Sequence, residues 1–334
     1  MTKSSHHARV FSGTPRNLAR LAGVLRAGGL VAVPTETVYG LAANALDAKA
    51  CAAIYRAKGR PFTDPLIVHI RALAELDDLA IANDAARQLA AAYWPGPLTL
   101  VLTKRDIVPG IVSAGLPSVA VRMPAHPLFR RLLRLARLPL AAPSANPFGY
   151  VSPTTAEHVR SGLGTKIRHI LDGGACPVGL ESTIVDVRDP RRPHLLRPGA
   201  ITRAQLEHTL GVKVAAGALP GNTRTAQLAP GMLKRHYSPR TPVTLHERLA
   251  PDDAATGPAW DAWVFLARPT GPRRANVFWF DARGDLRGVA RRLFAVLRHL
   301  DAAGFKRIHL ERAPGHDGLA HAINDRLSRA AAAG

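Results

Sequence analysis

The sequence predicts an α/β protein of two domains, the first of them built on a mixed sheet. Apolar runs of four or five residues, typical of buried strands, alternate with amphipathic helical segments through most of the chain. Clusters rich in glycine, proline, serine and threonine separate these segments, as expected of turns and binding loops. The length of 334 residues exceeds that of one ordinary domain, so we expect two.

The first domain is predicted over residues 1–212, of which 1–13 are expected to form a loose leader. Helices are predicted where a capping residue or proline precedes an apolar stripe with helical spacing, at Thr14, Asp47, Asn83, Pro127, Thr155 and Thr202. In the first helix the stripe consists of Leu18, Leu21, Val24 and Leu25, and the pair Gly28-Gly29 ends it. Short strands rich in Val, Ile, Leu and Ala are predicted at 30–33, 66–70, 98–102, 119–122, 140–142, 167–171, 183–187 and 194–197.

Residues 213–242 interrupt this pattern, because they contain many Gly, Pro and Thr residues and few large apolar ones. We predict an interdomain linker there. From residue 243 to 334 a smaller α/β pattern follows. Its predicted strands lie at 263–266, 276–280 and 307–310, and its predicted helices at 285–300 and 318–333.

The composition excludes several classes of protein. The two cysteines, Cys51 and Cys176, lie far apart, which argues against a disulfide scaffold and a cysteine zinc site. No apolar run is long enough to cross a bilayer, and the first residues lack a hydrophobic signal core, so we expect a cytoplasmic location. Lys and Arg number 45 against 24 Asp and Glu, but only 8 of the 45 are lysine. The excess permits an anionic partner, although most of it is typical of solvated arginines.

Polar clusters at the ends of predicted strands are the candidate binding elements, since the sequence contains neither a P-loop nor a dinucleotide-binding glycine motif. The first cluster, PTETVYG at 34–40, suits a small polar ligand or a turn that caps the next helix. The second places Lys58 and Arg60 near Pro61 and Pro65, either as a rigid anion clamp or as a solvated helix end.

Two ionisable side chains lie within or at the end of predicted apolar strands. His69 lies inside LIVHI, where a lone histidine is usually a satisfied core residue. Arg122 closes VAVR, and a buried arginine needs a phosphate or carboxylate partner, for which a protein Asp or Glu suffices. Two further loops carry neutral groups: APSANP at 142–147 supplies Ser and Asn between prolines, and the glycine-rich run at 173–183 forms either ordinary turns or an approach for a ligand to backbone N–H groups.

Each motif is weak alone, but their order is specific. PTETVYGL, KGRPxxxPLIVH, WPGPLT, VAVRMP, APSAN, DGG, ESTIVD and LRPG follow one another. In this order the chain closely resembles the YrdC/YciO family of threonylcarbamoyl-AMP synthases over about residues 15–212, and APGMLKRHYSP at 229–239 resembles the linker of its two-domain members. The resemblance implies a YrdC-like mixed-sheet domain with a concave basic site, and a smaller C-terminal α/β domain that is Rossmann-like.

The resemblance also implies a reaction. Family members convert L-threonine, bicarbonate or CO₂ and ATP into threonylcarbamoyl adenylate and pyrophosphate, and partner proteins then transfer the threonylcarbamoyl group to an adenosine beside the anticodon of tRNA. The family's catalytic signature, KxR…SxN, corresponds here to Lys58, Arg60, Ser144 and Asn146. Mg²⁺ is expected to accompany ATP and not to be bound by protein side chains alone.

The implied binding residues fall into two groups. ATP would contact Lys58, Arg60, Asp64, Ser118, Ser144, Asn146, Ser152, Arg197 and His236. L-Threonine would contact Thr37, His69, Arg122, Ala142 through backbone near it, and Ser182. Asp64 stands where the family often has Asn or His, so we expect it to face Mg²⁺ or an arginine, or to contribute only backbone. The linker residues Lys234, Arg235, His236 and Tyr237 form either a lid over the nucleotide or a passive tether.

Two other functions compete with this interpretation. A non-catalytic module that binds double-stranded RNA or tRNA would explain the net charge of +21, but the aromatic content is only 5% and no RNP1-type stacking run is present. A carbamoyl-transfer domain of the kind used in hydrogenase maturation would carry a zinc-finger segment, for which this chain lacks the cysteines.

Overall fold

Two separate sheets organise the described part of the chain, which comprises residues 7–217, 226–232 and 236–332 of a computed structural model. The strands of the larger sheet are β1 (Arg9–Phe11), β2 (Val31–Val33), β3 (Gly40–Asn44), β4 (Ile67–His69), β5 (Ala80–Ile81), β6 (Leu98–Lys104), β7 (Ser118–Arg122), β8 (Leu140–Ala141), β9 (His169–Leu171), β10 (Thr183–Asp186), β11 (His194–Arg197) and β12 (Ala215–Ala216). The helices around it are α1 (Pro15–Arg26), α2 (Ala48–Lys58), α3 (Leu76–Leu79), α4 (Asp84–Tyr93), α5 (Pro127–Ala136), α6 (Ala156–Leu163) and α7 (Arg203–Leu210), with a 3₁₀ turn at Leu73–Glu75.

The larger sheet is mixed, as predicted. Its order is β1-β9-β2-β3-β8-β4-β7-β6-β10-β11-β12, with β5 beside β6. β4 runs parallel to β7, and β6 runs parallel to β10. The pairs β3/β8 and β8/β4 are antiparallel, as is β6/β7. The central strands are buried along their whole length, which explains why they are continuous apolar runs in the sequence.

Side-chain caps fix where several helices begin, and the predicted caps are confirmed. Thr14, Asn83, Thr155 and Thr202 each accept a hydrogen bond from the backbone N–H three residues on. Asp47 caps α2 in the same way, by accepting from Lys49 and Ala50. α2 ends at Gly59, whose φ of 65° lies in the left-handed region that favours glycine. The two ends of α2 therefore set the position of the KGRP segment.

Helices cover the larger sheet and form its core. One apolar cluster lies under α2, α4, α6 and α7 and includes Leu41, Ile54, Leu89, Val159 and Leu206. A second cluster packs α1 and α5 against β2 and β3 and includes Leu18, Leu21, Val33, Phe129 and Leu132. Burial of such side chains supplies most of the stabilisation, at about 25 cal/mol for each Å² of apolar surface removed from water.

The smaller sheet belongs to the C-terminal part. Its elements are β13 (Val243–His246), α8 (Pro251–Thr256), β14 (Asp261–Phe265), β15 (Val277–Trp279), α9 (Leu286–Ala302), β16 (Arg307–Glu311) and α10 (Gly318–Ala331). The strand order is β13-β16-β14-β15 and all three pairs are parallel. This parallel arrangement with α9 and α10 packed against it agrees with the Rossmann-like expectation. None of the described helices has both the length and the hydropathy that crossing a membrane requires.

The structure differs from the sequence prediction in a few elements. The leader predicted at 1–13 is wrong for its last part, because β1 pairs parallel with β9; residues 1–6 lie outside the described residues. β3 and β13 were not predicted: GLAAN lacks large β-formers, and becomes a strand through its pairing with β2 and β8. The helix predicted to reach 333 ends at Ala331. Of the predicted linker 213–242, residues 218–225 and 233–235 lie outside the description, and its boundaries stay a prediction.

Replacing Asp47 by alanine should lower the free energy of unfolding by about 1 kcal/mol, the usual effect of losing a helix cap. The reason is that Lys49 and Ala50 lose their hydrogen-bond acceptor at the start of α2. Urea denaturation followed by circular dichroism measures the effect. Asp106→Ala is the matched control, because Asp106 is exposed and its side chain makes no hydrogen bond or ion pair with any described residue. An equal loss in both variants would contradict the capping role.

Candidate active site

The strand ends that bear the predicted polar residues meet at one edge of the larger sheet. β4 and β7 run parallel, and their last residues, His69 and Arg122, are partners in register. Because β10 runs parallel to β6, Ser182, which precedes β10, lies beside the start of β6, with its Oγ 2.7 Å from Thr99 Oγ1. β11 pairs antiparallel with β10 and ends at Arg197, opposite Ile184. Topology thus brings together side chains that are distant in sequence.

A cavity lies at this edge. Nine of the fourteen predicted site residues line it: Thr37, Arg60, His69, Arg122, Ala142, Ser144, Ser182, Arg197 and His236. The other five are buried but do not line it: Lys58, Asp64, Ser118, Asn146 and Ser152. The cavity volume is about 40 Å³. That is room for a few waters and far too little for ATP, so the described conformation is closed.

Lys58 fixes the APSAN loop. Its Nζ donates to the backbone carbonyls of Ser144 and Asn146, each at 2.6 Å. Burial, and next the neighbouring Arg60, hold the pKa of Lys58 well below its ordinary value. Asn146 in turn donates from Nδ2 to the carbonyls of Pro147 and Tyr150, so the loop is fastened at both ends. Lys58 forms no ion pair with any described residue.

Arg60 is held by the loop that follows it. Its Nε donates to the Asp64 carbonyl at 2.9 Å and its Nη2 to the Pro65 carbonyl at 2.5 Å. Nη2 also lies 3.0 Å from the Asp64 carboxylate. Burial raises the pKa of Asp64, although Arg60 and Lys58 oppose this shift. Asp64 therefore faces an arginine, one of the arrangements expected for this unusual residue.

Arg122 has a protein carboxylate as its partner. Its Nη2 lies 2.6 Å from Glu36 Oε1, Nη1 donates to Thr37 Oγ1 at 3.0 Å, and Nε donates to the Gly96 carbonyl. Burial raises the pKa of Glu36, but the charge and hydrogen bond of Arg122 and two backbone N–H donors together outweigh burial, so the pKa is lowered. The PTET segment is the predicted hydroxyl turn, with Thr35 Oγ1 accepting from the backbone of Thr37, but it leads into β3 and not into a helix.

Arg197 is a buried cation with neutral partners only. It donates from Nε to the Ser182 carbonyl, from Nη2 to Ser182 Oγ, and from Nη1 to the Pro230 carbonyl. It is 4% exposed and forms no ion pair with the described residues. Burial lowers its pKa. Arg197 and Lys58 are thus two buried basic side chains near one cavity, and neither forms an ion pair with a described residue.

The described parts of the predicted linker cover the cavity. Pro230, Gly231, His236 and Tyr237 all line it. Burial, and next the charges of Arg60 and Lys58, keep the pKa of His236 well below its ordinary value, so the ring is neutral at pH 7. Tyr237 is fully buried with φ of 60°, a strained conformation for a residue with a side chain. Lys234 and Arg235, the other predicted lid residues, lie outside the described residues.

Buried polar atoms without a partner concentrate around this cavity. Asn146 Oδ1, His236 Nδ1 and Tyr237 Oη have no hydrogen-bond partner among the described residues. Unpaired buried polar groups cost free energy and are rare in folded proteins, so such a cluster indicates that a polar ligand completes it.

Ser118 is less favourably placed for contact with a ligand in the cavity, because it lies at the start of β7, at the opposite end of that strand from Arg122.

Sequence reasoning missed three residues beside the site. Glu181 lines the cavity and is bound by Arg326, while Arg298 donates to the backbone of Ser152. The signal for the two arginines was available, since each falls on the apolar stripe of its helix, four residues after Phe294 or three after Ile323. In the glycine-rich run, Gly179 has the positive φ of a tight turn, one of the two expected alternatives, and its close neighbour is α9.

The fold and this site define a class of protein, an α/β protein with a buried cavity at strand ends whose basic side chains suit a small anionic ligand. The comparisons narrow the class. A Sua5/YciO/YrdC family model, described as telomere recombination, matches residues 23–199. A second model, described as the C-terminal domain of threonylcarbamoyl-AMP synthase, matches residues 201–332. The chain belongs to the Sua5/YciO/YrdC family, in its long form with a C-terminal domain.

Relatives and a solved structure agree with this assignment over nearly the whole chain. The threonylcarbamoyl-AMP synthase of Pyrococcus abyssi (strain GE5 / Orsay) is 41% identical over 321 residues, which are 92% of each chain. That of Bacillus subtilis (strain 168) is 40% identical over 332 residues, 94% of this chain and 92% of the relative. The crystal structure of P. abyssi Sua5 complexed with L-threonine has a TM-score of 0.86 and 38% identity, covering 97% of this chain and 98% of that one.

The buried His69 should make stability depend on pH. Burial, and next Arg122, lower its pKa from 6.5 to about 3, so below pH 6.5 the unfolded chain binds a proton that the folded protein refuses. Stability therefore falls as the pH is lowered, by about 2 kcal/mol between pH 7 and pH 5 from this group. Urea unfolding at both pH values measures the change. His69→Gln should lose about 2 kcal/mol less than the wild type over the same interval; an identical loss would contradict the assignment.

Proposed function

We propose that this protein is a threonylcarbamoyl-AMP synthase, a nucleotidyltransferase that makes the adenylate used in tRNA threonylcarbamoyladenosine modification. The observation that carries the proposal is the pair of desolvated cations, Lys58 and Arg197, beside a cavity that also holds hydroxyl groups and a neutral histidine. The family membership and the near full-length relatives of that name support the same reaction.

The reaction needs alignment and charge neutralisation more than acid–base chemistry. The threonine amine first combines with bicarbonate to give a carbamate and water. A carbamate oxygen then bonds to the α-phosphorus of ATP while the bond from that phosphorus to the bridging oxygen breaks, and pyrophosphate leaves. Every reacting group is anionic, so preorganised cations and N–H donors in a closed site supply the main rate enhancement.

The nucleotide end is assigned to the KGRP and APSAN loops with Arg197. Lys58 holds the carbonyls of Ser144 and Asn146, which leaves its remaining N–H and the side chains of that loop for phosphate. Arg197 lies between Ser182 and the covering Pro230, where it can stabilise the negative charge that develops on the leaving pyrophosphate. Ser118 and Ser152 are proposed contacts of lesser weight, because neither lines the closed cavity.

The threonine end is assigned to Arg122, Thr37 and His69. Arg122 uses three of its five N–H groups on Glu36, Thr37 and Gly96, so N–H groups remain for a carboxylate. The Thr37 hydroxyl and the neutral His69 ring are partners of the right kind for the amino-acid hydroxyl and carbamate. Backbone near Ala142 and the Ser182 hydroxyl complete this group.

We also propose that Mg²⁺ arrives with ATP. The described residues contain no cluster of three His, Cys, Asp or Glu side chains able to hold a metal ion. The carboxylates nearest the cavity, Glu36, Asp64 and Glu181, are each engaged by an arginine. These donors suit a metal held mainly by the triphosphate and water, as Mg²⁺ often is in ATP sites. The ion would neutralise phosphate charge.

Transfer of the threonylcarbamoyl group from the adenylate to tRNA by partner proteins is a separate part of the proposal.

The decisive assay mixes the protein with ATP, Mg²⁺, bicarbonate and L-threonine and measures pyrophosphate. Release that depends on both threonine and bicarbonate is expected of a synthase. Pyrophosphate release independent of threonine, or none at all from folded protein, would contradict the proposal. The RNA-binding alternative is not favoured, because a pure binder has no need of a closed small-molecule cavity.

Amino-acid specificity should depend on the hydroxyl group. Serine lacks one methyl group and should lose about 1–3 kcal/mol of transition-state binding, a 10- to 200-fold fall in kcat/KM. Valine cannot replace the hydroxyl hydrogen bond and should give no measurable pyrophosphate above background. Comparing kcat/KM for the three amino acids tests this; valine that reacts as fast as threonine would remove the hydroxyl from the recognition.

Arg197→Gln should weaken ATP use more than threonine use. Loss of a charge-assisted hydrogen bond costs about 1.5–3 kcal/mol, so KM for ATP should rise 10- to 100-fold while KM for threonine changes little. Arg188→Gln is the matched control, since Arg188 also follows a strand of this sheet but is paired with Asp186 and does not line the cavity. Equal behaviour of the two variants would contradict the role of Arg197.

The closed cavity implies that the covering segment opens, because ATP cannot fit the present volume. In the full chain, limited proteolysis within 213–242 should therefore be slowed by MgATP and threonine together. The physical reason is that the ligands stabilise the closed state in proportion to their differential affinity for it. Cleavage at the same rate with and without ligands would leave the segment as a tether.

A further inference from the structure

The C-terminal domain packs against the site loops of the first domain. Val38, Val151 and Leu180 belong to the same apolar cluster as Phe294, Leu297 and Ile323 of α9 and α10. Gly179 has φ of 81°, and a Cβ atom there would collide with the backbone of Ala290 and Arg291 in α9. The segments beside Ser152 and Glu181 are therefore in direct contact with the C-terminal helices.

Arg326 of α10 reaches the site through a chain of side chains. It is completely buried, and its Nε donates to Glu181 Oε2 at 2.9 Å. The other oxygen, Glu181 Oε1, accepts from Ser152 Oγ at 2.6 Å. The Arg326 guanidinium also lies over the ring of Tyr237, 5.3 Å from its centroid. One arginine thus contacts a cavity-lining carboxylate and the covering segment, and through Glu181 it is linked to a predicted ATP contact.

Arg298 of α9 fastens the same loop by its backbone. Its Nη2 donates to the Val151 carbonyl at 2.5 Å, its Nε to the Ser152 carbonyl at 3.2 Å, and its Nη1 to the His158 carbonyl at 3.2 Å. It is 7% exposed. Ser152 is therefore gripped twice from the C-terminal domain, at its carbonyl by Arg298 and at its hydroxyl by way of Glu181.

We propose that the C-terminal domain is part of the nucleotide site, with Arg326 and Arg298 as positioning residues that set Ser152 and Glu181. This inference rests on the proposed function for the assignment of Ser152 to ATP. A buried ion pair is weak evidence for stability, because desolvation offsets much of the attraction, but it holds a unique geometry. Here the fixed groups are adjacent to Ser182, which is the hydrogen-bond partner of Arg197.

The test measures ligand binding directly in the full chain. Calorimetry gives Kd for MgATP alone and for L-threonine alone, in the wild type and in Arg326→Gln. We expect Kd for MgATP to rise at least about tenfold, because Glu181 and Ser152 lose their support, and Kd for threonine to rise at most about threefold. Arg326→Lys, which keeps the charge, should recover part of the affinity. Arg312→Gln is the control, since this arginine pairs with the exposed Glu247 in the same domain.

Several outcomes would overturn the inference. A folded Arg326→Gln protein with wild-type Kd for MgATP would do so. Equal rises in Kd for MgATP and for threonine would also do so, because they would indicate a general loss of structure. If Arg326→Gln does not fold, Glu181→Gln decides in the same way, and wild-type MgATP affinity in that variant overturns the role. The double variant Glu181→Gln/Arg326→Gln should bind MgATP no more weakly than the single variant with the lower affinity, because both changes break one chain of contacts. Pyrophosphate release by the wild type tests the proposed function separately.

Discussion

The structure depends on the burial of positive charge at the edge of one sheet. Lys58, Arg60, Arg122 and Arg197 are all nearly inaccessible to solvent, and burying a cation is expensive unless oxygen atoms surround it. Each one accordingly has a set of fixed partners: carbonyls for Lys58, Asp64 for Arg60, Glu36 for Arg122, and Ser182 for Arg197. The loops are shaped by the need to bring these oxygens to the cations, so the local structure and the binding chemistry have one cause.

This constraint explains which parts of the site could be predicted from the sequence. Thr37, Arg60, Ser144 and the residues that end strands, His69 and Arg122, all line the cavity, because strand ends and proline-rich loops keep their place in any α/β fold. Helix caps were equally predictable, since the cap side chain and the backbone N–H that donates to it are three residues apart. The KxR…SxN motif and the order of the other motifs gave the family, which full-length relatives then confirmed.

Other features could not be predicted, because they depend on contacts between distant segments. Which carboxylate pairs with Arg122 follows from the β2–β3 turn meeting the end of β7, and nothing in PTET alone chooses Glu36. β1 and β3 could not be predicted because RVF is only three residues long and GLAAN lacks large β-formers, so both depend on their partner strands. Arg298 and Arg326 interrupt the apolar stripes of their helices, but their partners lie in the first domain and cannot be identified from the helices alone.

The two domains and the covering segment also bear on how the site opens. Tyr237 holds a strained φ of 60° while its ring packs between Phe294 and Arg326, so packing with the C-terminal domain compensates a backbone cost of about 1–3 kcal/mol. Opening would release that strain and rehydrate His236, which favours opening, and it would expose apolar surface, which opposes it. Because Arg326 touches both Tyr237 and Glu181, the positions of the covering segment and of this cavity-lining carboxylate depend on the same side chain.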